Sequence, residues 1–152
     1  MPVTQSPSSE AMAAVVDRVN SGETYDMDVA ACYTEAIIDV LENIGLELRI
    51  DVVCEGEQQL SETLDVEDRT QLMVRVFIRQ KLRSVENDEI EPLKLLVRQL
   101  WQRLNNYETA DGRVKVWSCD PDPKEVPIKA ILSSDWLFVA TLVMIIEVEA
   151  SL

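Results

Sequence analysis

At 152 residues and 47% apolar content, the chain is long enough for one domain with its own core, and a formal charge of −14 makes it repel DNA rather than grip it. It contains no histidine, which removes Ser-His-Asp and Cys-His nucleophiles and histidine-ligated metals; GxGxxG and GxxxxGKS/T loops do not occur. Three widely spaced cysteines, Cys32, Cys54 and Cys119, with no CxxC, read as reduced, buried thiols of a reducing compartment.

In chain order, Met1 to Ser8 reads as a short flexible arm without the features of a cleavable signal, and residues 9–152 as a single domain. Ser9 is the expected N-cap of a first helix carrying Met12, Val15, Val16 and Val19 on one stripe and stopping at Asn20-Ser21-Gly22. Residues 28–33 read as a short strand ending at Tyr33, and 34–43 as a short helix. Leu46 to Val53 alternates: Leu46, Leu48, Ile50 and Val52 fall on one face, and Glu47, Arg49 and Asp51 on the polar one. Cys54 to Asp68 then carries Glu55, Glu57, Glu62, Asp65, Glu67 and Asp68. Between two strands it is either a mobile solvated loop or a long hairpin arm that meets a neighbour.

Thr70 to Lys81 alternates again. Leu72, Val74, Val76 and Ile78 form one face, and Met73, Arg75, Phe77 and Arg79 the other. The second face is either covered by another protein or solvated beneath snorkelling arginine stems. A second helix starts at Asn87 or Asp88, tolerates Pro92 in its first turn, and carries Ile90, Leu93, Leu96, Val97, Leu100, Trp101 and Leu104 as an apolar stripe. Lys94, Arg98, Gln102 and Arg103 lie off that stripe, and Asn105-Asn106 ends the helix. Arg113 to Cys119 is a strand with Val114, Val116 and Ser118 inward, followed by a stiff loop over Asp120 to Pro127. Trp136 to Glu149 is a closing strand, apolar on both faces at its start. Such a strand is central, or has helices on one face and a partner on the other. Its apolar run, Trp136 to Ile146, is too short to span a bilayer. The expected class is α/β in the α+β sense: a mostly antiparallel sheet with two main helices packed on one face and a long protruding hairpin.

Charge is divided along the chain. Residues 1–68 hold sixteen acids against Arg18 and Arg49, and therefore the entire −14; residues 69–152 hold twelve of each sign. Surfaces of opposite character on one protomer attract when copies meet head to tail, which is how rings close. The candidate subunit interface is accordingly Glu55, Glu57, Glu62, Asp65, Glu67 and Asp68 against Arg75, Phe77, Arg79, Lys81 and Arg83. No catalytic residue, metal site or cofactor is expected. An enzyme working through carboxylates would need two converging acids, whereas these acids crowd one stretch.

The order of elements resembles the tail terminator and neck (tail completion) proteins of tailed bacteriophages. The likeness is carried by Ala14-Val15-Val16-Asp17-Arg18-Val19-Asn20, Leu48-Arg49-Ile50-Asp51-Val52-Val53, Val76-Phe77-Ile78-Arg79-Gln80-Lys81-Leu82, Asn87-Asp88-Glu89-Ile90 and the Phe138 to Val148 strand, over roughly residues 10–150. The resemblance implies a virion protein of the tail or neck, assembled in the bacterial host cytoplasm as a homohexameric ring. Such a ring caps the tail tube, and its implied partners are further copies of itself, the major tail tube protein and a head-side connector or stopper protein. DNA passes through its lumen without sequence-specific binding, and no membrane is involved. A head-completion or connector protein of the neck, or an acidic assembly adaptor or chaperone absent from the mature particle, are the alternatives.

Overall fold

Two stretches of apolar alternation become the centre of a five-stranded sheet. The structure, a computed structural model, describes residues 6–20, 25, 31–34, 48–59, 67–82, 87–121 and 136–151. The elements are α1 (Pro7–Asn20), β1 (Ala31–Thr34), β2 (Arg49–Gln59), β3 (Glu67–Leu82), α2 (Asn87–Leu104), β4 (Val114–Pro121) and β5 (Trp136–Ser151). The strand order is β1-β2-β3-β5-β4. β2, β3, β5 and β4 form antiparallel ladders, and β1 joins the edge parallel to β2. The α+β class read from the sequence is the class observed. β5, apolar on both faces, is interior to the sheet, between β3 and β4.

Register explains the core. Ile50 pairs with Ile78 and Val52 with Val76. Val76, Val74 and Leu72 in turn pair with Leu142, Met144 and Ile146. Side chains alternate across a strand, so these residues share one face. Ala11, Met12, Val15 and Val19 of α1 and Ile90, Leu93, Leu96, Leu100 and Leu104 of α2 close over it in one buried cluster. The two helices meet at their C-terminal ends. Arg18 Nε donates to the Arg103 carbonyl at 3.1 Å, and Arg103 Nε returns a bond to the Arg18 carbonyl at 2.7 Å. Each arginine thereby satisfies an orphan carbonyl and sits at the negative end of a helix dipole. Their guanidinium groups also lie over aromatic rings, Arg18 over Tyr107 and Arg103 over Tyr25.

Several boundaries differ from the sequence reading, each for a local reason. α1 begins at Pro7, taking in two residues assigned to the arm: the capping oxygen belongs to Ser6, which accepts from the Ser9 amide at 3.3 Å. Pro7 then sits at the first helical position, where its missing N–H costs nothing. α2 starts at Asn87, so Pro92 falls in its second turn and forgoes the bond to the Asp88 carbonyl. The end at Asn105-Asn106 is as read: Asn106 has φ 60, the left-handed cap conformation asparagine tolerates. In β4 a register shift between Val116 and Ser118 turns Cys119 inward in place of Ser118. The stretch read as a loop or arm over 54–68 is narrower than expected. Cys54 to Gln59 and Glu67-Asp68 are ladder residues of β2 and β3. Residues 60–66 lie outside the described residues, as do 35–43 of the short-helix reading, Leu46 and Glu47 of the strand reading and 122–127 of the proline loop.

Candidate functional site

The face of the sheet away from the helices changes character along its length. Around Asp51, Phe77, Arg79, Val139 and Thr141 it is buried to 5% exposure or less. Asp51 was read onto the polar face of a half-buried strand and is instead 1% exposed. Arg79 Nη2 donates to Asp51 Oδ2 at 2.8 Å, and Arg49 Nε reaches the same oxygen at 2.9 Å from a half-exposed position. Carboxylate and guanidinium compensate each other in a site where either alone would carry a heavy desolvation cost.

Further along, the same face opens. Met73 is 40% exposed and Trp117 56%, with Val143 and Ile145 half-buried between them. The indole Nε1 of Trp117 donates to Glu147 Oε2 at 2.6 Å, and Lys115 Nζ lies 4.4 Å from the ring centroid. Trp101, by contrast, is half-buried on α2 and donates to the Cys119 carbonyl. That anchors the helix to β4 and matches the core-packing role read for it.

The interface candidates are divided by this geometry. Arg75 Nε binds Glu55 Oε2 of its own chain at 2.6 Å, and Arg79 is enclosed with Asp51. Phe77 is buried beside them. Lys81 is half-buried at the end of β3, and Glu57 is exposed on β2. Glu67 and Asp68 begin β3, opposite Ser151 and Ala150 of β5. Glu62, Asp65 and Arg83 lie outside the described residues.

Glu55 and Glu57 line a shallow cleft of about 310 Å³ with Ser6, Ser8, Met12 and Cys54, where α1 begins. Acids beside a helix N-terminus are favourably placed against its dipole. Burial, and then the Glu57 and Glu55 carboxylates, raise the Cys54 thiol, so it is a poor nucleophile. Cys119, 1% exposed, is pushed up to about 12 by burial and by the neighbouring Asp120 charge. Cys119 is buried, as read, whereas Cys54 is only half-buried, at the edge of the cleft. Among the described residues no group of three His, Cys, Asp or Glu could hold a metal ion, and no helix is long and apolar enough to cross a membrane.

Sequence reasoning missed two features. Asp51 as the partner of Arg79 was hidden because strand alternation says which side a residue faces, not whether that side is covered. The second is Leu95. It is 44% exposed, an apolar residue off the buried stripe of α2 and between the exposed bases Lys94 and Arg98. Its place off the stripe was the available signal. No protein-family model matches the sequence, and a search of curated proteins finds no relative.

Proposed function

We propose that this chain is a structural ring subunit of the neck of a tailed bacteriophage, the tail terminator. It caps the tail tube, joins the tail to the head-side connector and lets DNA pass through its lumen. The observation that carries this reading is the distribution of charge over an α+β protomer. The whole net charge of −14 lies in residues 1–68, which supply α1, β1, β2 and the first two residues of β3, while residues 69–152 are balanced. Such a protomer is polar in the electrostatic sense, and copies that meet head to tail bring unlike surfaces together. An acidic lumen is also suited to a conduit: the duplex carries a negative charge about every 1.7 Å and slides where nothing binds its phosphates.

Negative-stain images of the purified protein test the reading. Rings with a hole wide enough for duplex DNA are the expected result. Small particles without rings, at every concentration and at low salt, would overturn it in favour of an acidic adaptor that leaves before the particle is finished.

A further inference from the structure

Most bases among the described residues are held by an acid, a carbonyl or a ring of their own chain. Arg18 and Arg103 hold helix carbonyls, Arg49 and Arg79 hold Asp51, Arg75 holds Glu55, and Arg113 holds Glu10. Arg98 has no such contact among the described residues, although it is exposed in the middle of α2. The closest acid along that helix is Glu91, seven residues towards the N-terminus. At about 1.5 Å per residue the two are roughly 10 Å apart, too far for an ion pair within the chain. Glu91 lies 3.8 Å from Lys94, a loose pair between two well-exposed side chains.

Seven residues fall about 20° short of two full turns. Glu91 and Arg98 therefore lie on one line along the outer side of α2, opposite the buried stripe of Leu93, Leu96 and Leu100. Leu95, exposed, lies to one side of that line. On the other side runs a groove of about 380 Å³, walled by Lys94, Val97, Trp101 and Pro121 of β4, with Glu91, Leu95 and Arg98 along its edge. The face is neither acidic nor basic. It has an acid at one end, a base at the other and an exposed leucine near the midpoint.

We infer that this face of α2 pairs with the same face of a second copy of the chain, the two helices antiparallel about a two-fold axis midway between Glu91 and Arg98. Charge selects the occupant. A two-fold axis at that point sets Glu91 of each copy against Arg98 of the other, so the ion pair forms twice. It also exchanges the two sides of the helix, so each Leu95 faces the other copy's groove. Antiparallel helices oppose their dipoles as well. Around the axis Glu91, Lys94 and Arg98 give each copy one acid and two bases, on a chain whose charge of −14 otherwise drives copies apart. One helix face per copy is a small interface, so the pairing is weak and concentration-dependent. An isologous contact closes at two units and does not build a ring. It goes beyond the ring-subunit reading and does not rest on it: it joins two chains where no ring forms and two rings where one does.

The test is sedimentation velocity on the full chain over a range of concentrations, with Glu91→Arg and Arg98→Glu made separately and together in one chain. Both side chains are exposed, and near-ultraviolet circular dichroism checks that the variants are folded. Each single variant sets like charges together twice and should pair at least about tenfold more weakly than the wild type, a loss of about 1.4 kcal/mol. The chain carrying both substitutions should regain wild-type pairing, and so should an equimolar mixture of the two single variants, because opposite charges then face each other again. Oxidative cross-linking locates the axis. Leu95→Cys should give a disulfide-linked dimer, whereas Gln102→Cys, on the same exposed side but about 22 Å from its mate, should give no more than the wild type. The contact is overturned by a single variant that pairs as well as the wild type, by a double variant that gains nothing over the singles, or by equal cross-linking at 95 and 102. A wild-type chain that does not pair at its highest soluble concentration overturns it too. None of these outcomes decides the ring reading, which images of rings and tube ends test separately.

Discussion

The two faces of the sheet are built from the same strands and do different work. On the helix side, Leu72, Val74, Val76 and Ile78 of β3 and Leu142, Met144 and Ile146 of β5 are all 0% exposed, with no charged side chain among them. On the other side the same strands interleave Met73, Arg75, Phe77 and Arg79 with Val139, Thr141, Val143 and Ile145, and exposure runs from 1% at Arg79 to 40% at Met73. An apolar face gains stability in proportion to the area it removes from water and is tolerant of detail. A mixed face gains little net stability, because each charge must be desolvated and then paired, but it accepts few alternative arrangements. The fold's stability thus rests on one side, and pairing register and contact chemistry on the other.

The sharpest way to break this division is at Asp51. Asp51→Ala leaves Arg79 charged in a buried site and should cost about 3–5 kcal/mol in urea unfolding. Replacing both, Asp51→Leu with Arg79→Met, should recover most of that loss. If the double variant is as unstable as the single, the pair contributes stability and not only register. The same geometry changes how a charge-reversal test of β3 must be read: Arg79→Glu would set like charges together in a buried site and would report on folding before assembly.

On the helix side, Leu100→Ala should cost about 2–5 kcal/mol through lost burial and the cavity it leaves, measured by the same denaturation. A cost below about 1 kcal/mol would mean that α2 is loosely seated.

Cys119 sharpens the comparison through pH. Its folded thiol is raised to about 12 from 9.0, so the unfolded chain loses this proton first. Stability is therefore fully present below about pH 9 and falls as pH rises towards 12, by roughly 1 kcal/mol per pH unit. Cys119→Val should flatten that slope in chemical denaturation between pH 9 and 11; an unchanged slope would place the alkaline sensitivity elsewhere.

The smallest effect belongs to the open end of the mixed face. Trp117→Ala, at an exposed position, should change stability by no more than about 0.5–1 kcal/mol. A larger loss would show that its bond to Glu147 and its stacking with Lys115 hold β4 to β5.

The helix-side face was legible in the sequence because it depends on periodicity alone: the alternation of 72, 74, 76 and 78 and the stripe through Ile90, Leu93, Leu96, Leu100 and Leu104 are the buried residues observed. The start of α1 was read three residues late because Ser6, Ser8 and Ser9 can all cap, and only the bond from the Ser9 amide to Ser6 chooses among them. The inward turn of Cys119 was not legible, since a bulge shifts parity without changing composition. For the candidate site, the sequence located the acids and bases but not which of them neutralise each other. Glu55 with Arg75 and Asp51 with Arg79 are long-range pairs that exist only once β2 and β3 align.

The ring-subunit reading is tested most directly by adding the purified chain to assembling tail-tube protein and imaging the tube ends by negative-stain electron microscopy. The account predicts rings seated on tube ends and tubes that stop growing once capped. Bare ends, with tubes lengthening as they do without the chain, would contradict it.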